Sequence, residues 1–135
     1  MENKKEPTID TEQLANECVA ICEERKAENV ILFDVREKSI LADFFLVCSG
    51  TSQPHISALS THIRKTMMAH GISPKGQDGQ AESKWIVLDY GDILIHILDP
   101  ETRKFYCLEE LWDDRKIVYQ QKADDEKQEP VDNGN

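Results

Sequence analysis

The sequence predicts an α/β fold in which helices pack on a mixed central β-sheet. Four short runs of apolar, largely branched residues occur at 30–35, 44–48, 85–89 and 93–98, and each is too short for a typical helix. Segments with helical spacing of apolar residues precede the first run, separate the second from the third, and follow the fourth. This order predicts one sheet with helices packed on it, and the continuous apolar character of the strands predicts cover on both faces.

The last two runs are predicted to form an antiparallel hairpin. They are separated only by Tyr90-Gly91-Asp92, which contains the residue types that tight turns favour. Pro100 then ends the second of these strands. The polar residues 73–84 before the hairpin are predicted to form a loop with one short edge strand.

Three helices are predicted around these strands. The first begins after Asp10, which can cap it with Gln13, and runs to about Ala27. The second opens at Pro54 and stops at Gly71, a residue type that readily adopts the left-handed conformation. Its apolar stripe consists of Ile56, Leu59, Ile63 and Met67. A short third helix carries Phe105, Leu108 and either Leu111 or Trp112 on one face.

The chain length of 135 residues suits one domain, which we place at 10–119. Residues 1–9 carry mixed charge and a proline and are predicted to be a flexible arm. Residues 120–135 contain only Ala123 and Val131 as apolar side chains, so a disordered acidic tail is predicted there.

Charge and hydropathy narrow the classes of partner. The formal net charge of -10 favours basic partners and opposes direct binding to nucleic-acid phosphates. No apolar run approaches the ~20 residues of a membrane helix, and the first residues lack the apolar stretch of a secretory signal. We therefore predict a cytoplasmic protein with neither membrane nor direct nucleic-acid binding.

The four cysteines, Cys18, Cys22, Cys48 and Cys107, each lie within an apolar pattern. That placement predicts reduced thiols buried in the core. Cys18 and Cys22 are one helical turn apart and could reach a common metal ion, but a zinc site needs further ligands. Core packing is the preferred interpretation.

His96 and the pair Asp89 and Asp92 are the candidates for chemistry. His96 interrupts an apolar strand, which is compatible with a core residue, a catalytic base or a binding surface. Asp89 and Asp92 flank the hairpin turn, where carboxylates can hold metal ions or serve as ordinary turn residues. The Ser49-Gly50-Thr51-Ser52 loop before a helix loosely resembles a phosphate cradle, but it lacks the lysine of a P-loop.

Several strings of the sequence resemble one known family, that of the ribosomal silencing factors (Iojap). They are Asp34-Val35-Arg36, Ala42-Asp43-Phe44-Phe45, Ser49-Gly50-Thr51-Ser52, residues 85–92 from Trp85 to Asp92, and residues 103–112 from Arg103 to Trp112. Their order and spacing also match, and the similarity covers about residues 11–118.

This resemblance implies a fold similar to that of nucleotidyltransferases, without their activity and without a cofactor. It further implies binding to ribosomal protein L-fourteen on the large ribosomal subunit, where the factor blocks small-subunit association and represses translation when nutrients are scarce. Organellar relatives act in mitochondrial ribosome assembly. The implied contact set is Trp85, Asp89, Tyr90, Asp92, His96, Tyr106, Glu109 and Trp112.

Two other function classes stay open at this point. One is a metal-dependent enzyme on the nucleotidyltransferase-like scaffold, with Asp89 and Asp92 holding magnesium; shared fold alone would not establish that activity. The other is a homodimeric assembly adaptor that acts before the large subunit matures. Magnesium or nucleotide binding in solution would distinguish the enzyme from the binding protein.

Overall fold

A computed structural model describes residues 9–37, 42–106 and 116–121. The described residues form helices α1 (Thr11–Glu24), α2 (Gln53–Ala69) and α3 (Pro100–Tyr106), with a 3-10 turn at Ala81–Ser83. The strands are β1 (Glu28–Asp34), β2 (Phe44–Ser49), β3 (Gly76–Asp78), β4 (Trp85–Asp89), β5 (Ile93–Leu98) and β6 (Ile117–Gln120).

The strands make one mixed sheet in the order β3-β4-β5-β2-β1-β6. β2 and β5 are parallel, and the other neighbouring pairs are antiparallel. The predicted α/β class and the predicted β4–β5 hairpin are therefore confirmed, as is a short edge strand between residues 73 and 84.

Helix α1 begins as predicted and ends earlier than predicted. Asp10 and Gln13 form a reciprocal capping box at its start. The helix stops at Glu24 rather than near Ala27 because Lys26 has a φ of 68°, a left-handed conformation that an α-helix cannot contain. Ala27 is buried nonetheless, at the turn into β1.

Helices α1 and α2 pack on the same face of the sheet and form the main core. Its strand residues include Leu32, Leu46, Ile95 and Ile97, all fully buried. Cys18, Cys22 and Cys48 are free thiols within this core, which confirms the prediction for these three; Cys107 lies outside the described residues. Burial raises the pKa of Cys18 to about 12, so its thiol stays protonated.

A smaller apolar cluster lies on the opposite face. It contains Ile31, Phe33, Phe45, Val47 and Leu98, with Trp85 and Leu94 packed partly against it. Helix α3 reaches this side at the end of β5, where the Arg103 guanidinium donates to the Ser49 hydroxyl at 3.1 Å.

Strand β6 is absent from the sequence-based prediction and crosses the predicted domain boundary. Gln120 is the last residue of β6, so the boundary after Tyr119 falls inside a strand. Gln121 donates its backbone N–H to the Val30 carbonyl, and its side chain bonds the Val30 N–H and the Ala27 carbonyl. The Tyr119 hydroxyl also donates to the Glu23 carboxylate of α1.

Three predictions fall outside the described residues. They are the arm before Ile9, the tail beyond Gln121, and the part of the third helix that would carry Leu108 and Leu111 or Trp112. Within the described ranges, no helix is long and apolar enough to cross a bilayer.

Two truncations should differ in stability because of Gln121. Removing 122–135 leaves its hydrogen bonds intact, whereas removing 120–135 deletes three of them and shortens β6. At ~1 kcal/mol per hydrogen bond, the longer deletion should cost roughly 2–4 kcal/mol of unfolding free energy relative to the shorter one. Urea denaturation of both proteins measures this difference, and equal midpoints with equal slopes would contradict it.

Candidate functional site

Residues of β4 and β5 alternate between the core under α1 and α2 and the opposite face. Ile86, Leu88, Ile95 and Ile97 point into the main core. The alternate residues are half-buried on the other side, and with the exposed aromatics of α3 they form what we call the Trp85 face. Its members are Trp85, Val87, Asp89, Leu94, His96, Phe105 and Tyr106.

Trp85 and His96 are joined across the hairpin. The indole N–H of Trp85 donates to Nδ1 of His96 at 3.2 Å. Since an indole nitrogen can only donate, Nδ1 must be the unprotonated nitrogen, and the ring hydrogen of neutral His96 is on Nε2. Burial lowers the pKa of His96 to about 4, so the ring is neutral near pH 7.

The turn before β4 sets the position of Trp85. Gly79 has a φ of 82°, and a Cβ there would lie 2.0 Å from the Trp85 carbonyl oxygen. The backbone therefore approaches Trp85 at a distance that only glycine permits. The Ser83 hydroxyl bonds the Gln80 backbone on the other side of this turn.

Aromatic side chains extend the Trp85 face onto α3. The Tyr106 ring lies 5.1 Å from that of Trp85, and the Phe105 ring lies 4.9 Å from that of Tyr106. Phe105 is 77% exposed and Tyr106 is 52% exposed. These three residues, with Ser83, Glu101 and Thr102, line an open groove of about 500 Å³.

Tyr90, a member of the predicted contact set, does not belong to this face. Its side chain is 8% exposed and lies in the main core beneath the helices. Burial raises the pKa of its hydroxyl to about 12. The alternation of side chains along β4 continues from Asp89 to Tyr90, so these two adjacent residues face opposite sides of the sheet.

Asp89 and Asp92 shape the hairpin turn. The Asp89 carboxylate accepts the Gly91 N–H at 2.8 Å, the bond of an aspartate that caps its own turn. The Asp92 backbone carbonyl accepts the N–H groups of Asp43 and Phe44, and Asp92 itself is exposed. Among the described residues, no group of three or more His, Cys, Asp or Glu side chains is placed to hold a metal ion.

In the Ser49–Ser52 loop, the backbone N–H groups of Gly50 and Thr51 are already hydrogen-bonded within the fold. The Gly50 N–H donates to the Leu98 carbonyl, and the Thr51 N–H donates to Nδ1 of His55. A Cβ on Gly50 would lie 2.8 Å from Ile56, so the loop packs tightly on α2. These N–H groups are not available to a phosphate.

The structure thus places five of the eight predicted contact residues along the β4–β5 hairpin and α3. Trp85, Asp89, His96 and Tyr106 lie on the Trp85 face, and Asp92 lies at the adjoining turn. Glu109 and Trp112 are outside the described residues. The sequence analysis missed Val87, Leu94 and Phe105 as surface residues, although period-two alternation from Trp85 and His96 would have identified the first two.

The low pKa of His96 predicts a pH-dependent loss of stability. An unfolded histidine has a pKa near 6.5, so the unfolded state binds the proton first as pH falls below that value. Between pH 7 and pH 4.5, the free energy of unfolding of the wild type should therefore fall by roughly 2–3 kcal/mol more than that of His96→Gln, because glutamine does not titrate. Urea unfolding at the two pH values measures this, and parallel behaviour of the two proteins would contradict it.

Comparison with known proteins identifies the family. The sequence model described as "Ribosomal silencing factor during starvation" (RsfS) matches residues 8–135. A Halalkalibacterium halodurans protein named ribosomal silencing factor RsfS is 31% identical, over 82% of this chain and 94% of its own. The Bacillus subtilis protein of the same name is 34% identical, over 73% and 84%.

A mitochondrial relative and a solved structure support the same family assignment. The mouse protein named mitochondrial assembly of ribosomal large subunit protein 1 is 30% identical over 70% of this chain and 42% of its own. A crystal structure of a Bacillus halodurans protein superposes with a TM-score of 0.70 at 29% identity, over 81% of this chain and 99% of that one. By these matches and by its mixed sheet, the chain belongs to the ribosomal silencing factor family.

Proposed function

We propose that this protein binds the large ribosomal subunit through ribosomal protein L-fourteen, blocks association with the small subunit and so represses translation. The observation that carries the proposal is the Trp85 face on a chain of this family. The names of the bacterial relatives support silencing, and the mouse relative's name supports the large subunit as the partner. We place the protein in the cytoplasm and assign it no cofactor.

The Trp85 face has the character of a protein interface. Trp and Tyr are the residue types that contribute most to binding when they are desolvated by a partner. The rings of Trp85 and Tyr106 are in contact, and Trp85 is also bonded to His96, which reduces the conformational entropy that these side chains lose on binding. The groove beside them can accept a side chain of the partner.

Acidic groups lie at both ends of this face. Glu101 lines the groove beside Trp85 and Tyr106, and Asp89 and Asp92 lie at the hairpin turn, at the other end of β4. A basic protein surface is complementary to these acids, and the net charge of -10 increases the rate of encounter with it. Glu109 and Trp112 stay in the proposed contact set on the family resemblance.

A binding role fits this site better than catalysis. Asp89 is engaged with its own turn, and His96 is neutral with Nδ1 occupied by Trp85. We therefore propose that the chain is not an enzyme. The second candidate function is a large-subunit assembly adaptor, favoured by the name of the mouse relative; it uses the same partner at an earlier time.

The first prediction is co-sedimentation with free large subunits and a reduced fraction of joined ribosomes. Tyr106→Ala should weaken large-subunit binding on the order of tenfold, because the exposed ring is a proposed anchor. Val118→Ala is the matched control, an exposed apolar residue on the far edge strand. Sucrose-gradient sedimentation gives the result, and protein found only with small subunits, or with neither, would refute the proposal.

The second prediction concerns charge. Asp92→Lys should weaken large-subunit binding several-fold at low salt, because an exposed turn acid would become a like charge facing a basic partner. The deficit should shrink as ionic strength rises, since salt screens exposed pairs. Glu24→Lys makes the same charge change at the end of α1, on the helix side.

Binding constants for the three proteins decide the role of Asp92. If Asp92→Lys binds as tightly as Glu24→Lys at low salt, with unchanged circular dichroism, then Asp92 serves only the turn.

A further inference from the structure

The acidic charge of the chain is unevenly distributed. Between Asp43 and Asp78 the sequence contains no Asp or Glu, although the whole chain has 26 acidic residues. The same stretch contains Arg64, Lys65 and Lys75. It supplies β2, all of α2 and the first two residues of β3, whose third residue is Asp78, so α2 and the segment after it are positively charged within an acidic protein.

Two of these cations, Arg64 and Lys75, lie beside the edge strand β3. Arg64 donates to the Gln77 side chain of β3 at 2.6 Å, and Lys75 precedes β3 with its backbone bonded to Asp89. The Lys75 ammonium lies beside Gly91, where an added Cβ would be 3.0 Å from Nζ. Lys65 follows Arg64 on the exposed side of α2.

The three cations are solvent-exposed, and none of them forms an ion pair with a carboxylate of the residues that the structure describes. The ion pairs within the described ranges involve Arg36, His70 and Lys116, and none of them involves Arg64, Lys65 or Lys75. The remaining exposed side chains of α2 nearby are small or polar, apart from Met68, which is 55% exposed. Such a surface suits phosphate groups, which bind to arginine, lysine and hydroxyl side chains.

We infer that Arg64, Lys65 and Lys75 form a contact surface for ribosomal RNA phosphates on the large subunit; this inference rests on the proposed function. We call these residues the basic edge. Lys75 lies next to the Asp89 end of the Trp85 face, because it precedes β3, which pairs with β4. Arg64 and Lys65 lie on the helix side of the sheet, on α2. One ribosomal surface can therefore present basic protein to the Trp85 face and RNA to the basic edge.

The net charge of the chain does not by itself decide whether the basic edge can bind phosphates. A charge of -10 opposes nucleic-acid binding by the chain as a whole. At contact distance, however, screening at physiological salt limits each phosphate to the charges within about 8 Å. The basic edge therefore adds RNA affinity only once the Trp85 face has docked.

Salt dependence provides the first test. The variant Lys65→Gln/Lys75→Gln should bind large subunits on the order of tenfold more weakly at low salt. The slope of log K against log[KCl] should also fall in magnitude by about 1 for each lysine removed. Arg25 is an exposed cation after α1, and its carbonyl is bonded to His55 at the start of α2, away from the basic edge. Arg25→Gln should leave both the affinity and the slope unchanged. A wild-type slope in the double variant would overturn the inference while leaving the proposed function intact.

Crosslinking identifies the partner. A photo-crosslinking residue in place of Met68 should attach to ribosomal RNA in the complex with large subunits, whereas one in place of Phe105 should attach to protein. Attachment of the Met68 probe to a ribosomal protein, or to residues 122–135 of the same chain, would overturn the RNA assignment. If wild type does not bind large subunits at all, the proposed function fails, and the inference fails with it.

Discussion

At the centre of the sheet, β2 and β5 run in the same direction, and six consecutive residue pairs hold their register. A parallel pair cannot be closed by a tight turn, so the chain must cross over between them, and here the crossover contains α2, β3 and β4. With α1 and α2 on one face, the register decides the environment of each β5 residue. Ile95 and Ile97 are buried beneath the helices, and His96 must emerge on the opposite side with Trp85.

That division assigns different chemistry to the two sides of the hairpin. The Trp85 face carries packed aromatics, a neutral histidine and acidic groups at both ends. The side formed by α2 and the start of β3 carries cations that make no ion pair with any carboxylate in the described part of the chain. Net charge describes the sum of these surfaces, whereas a large partner meets each one separately. A ribosomal subunit, with both basic proteins and RNA, offers complementary surfaces to both.

Local patterns were sufficient to predict four strands, the hairpin and α2, because their apolar spacing and turn residues are contiguous in sequence. The misassigned or missing features depend on distant partners. Tyr90 follows a turn aspartate, and only the packing of the helices shows which face it occupies. Strand β6 is four residues long, and it is stabilised by Gln121 bonding Val30 and Ala27, more than ninety positions away. The polar composition after Tyr119 concealed that role.

Under the proposed function, the Trp85 face is the surface that is buried on the large ribosomal subunit. Hydroxyl-radical footprinting of the free protein and of its complex with large subunits tests this residue by residue. Phe105, Tyr106 and Trp85 should lose reactivity on binding, while Val118 on the far edge strand keeps it. Unchanged reactivity of Phe105 and Tyr106 in a fully formed complex would show that the Trp85 face is not the contact surface.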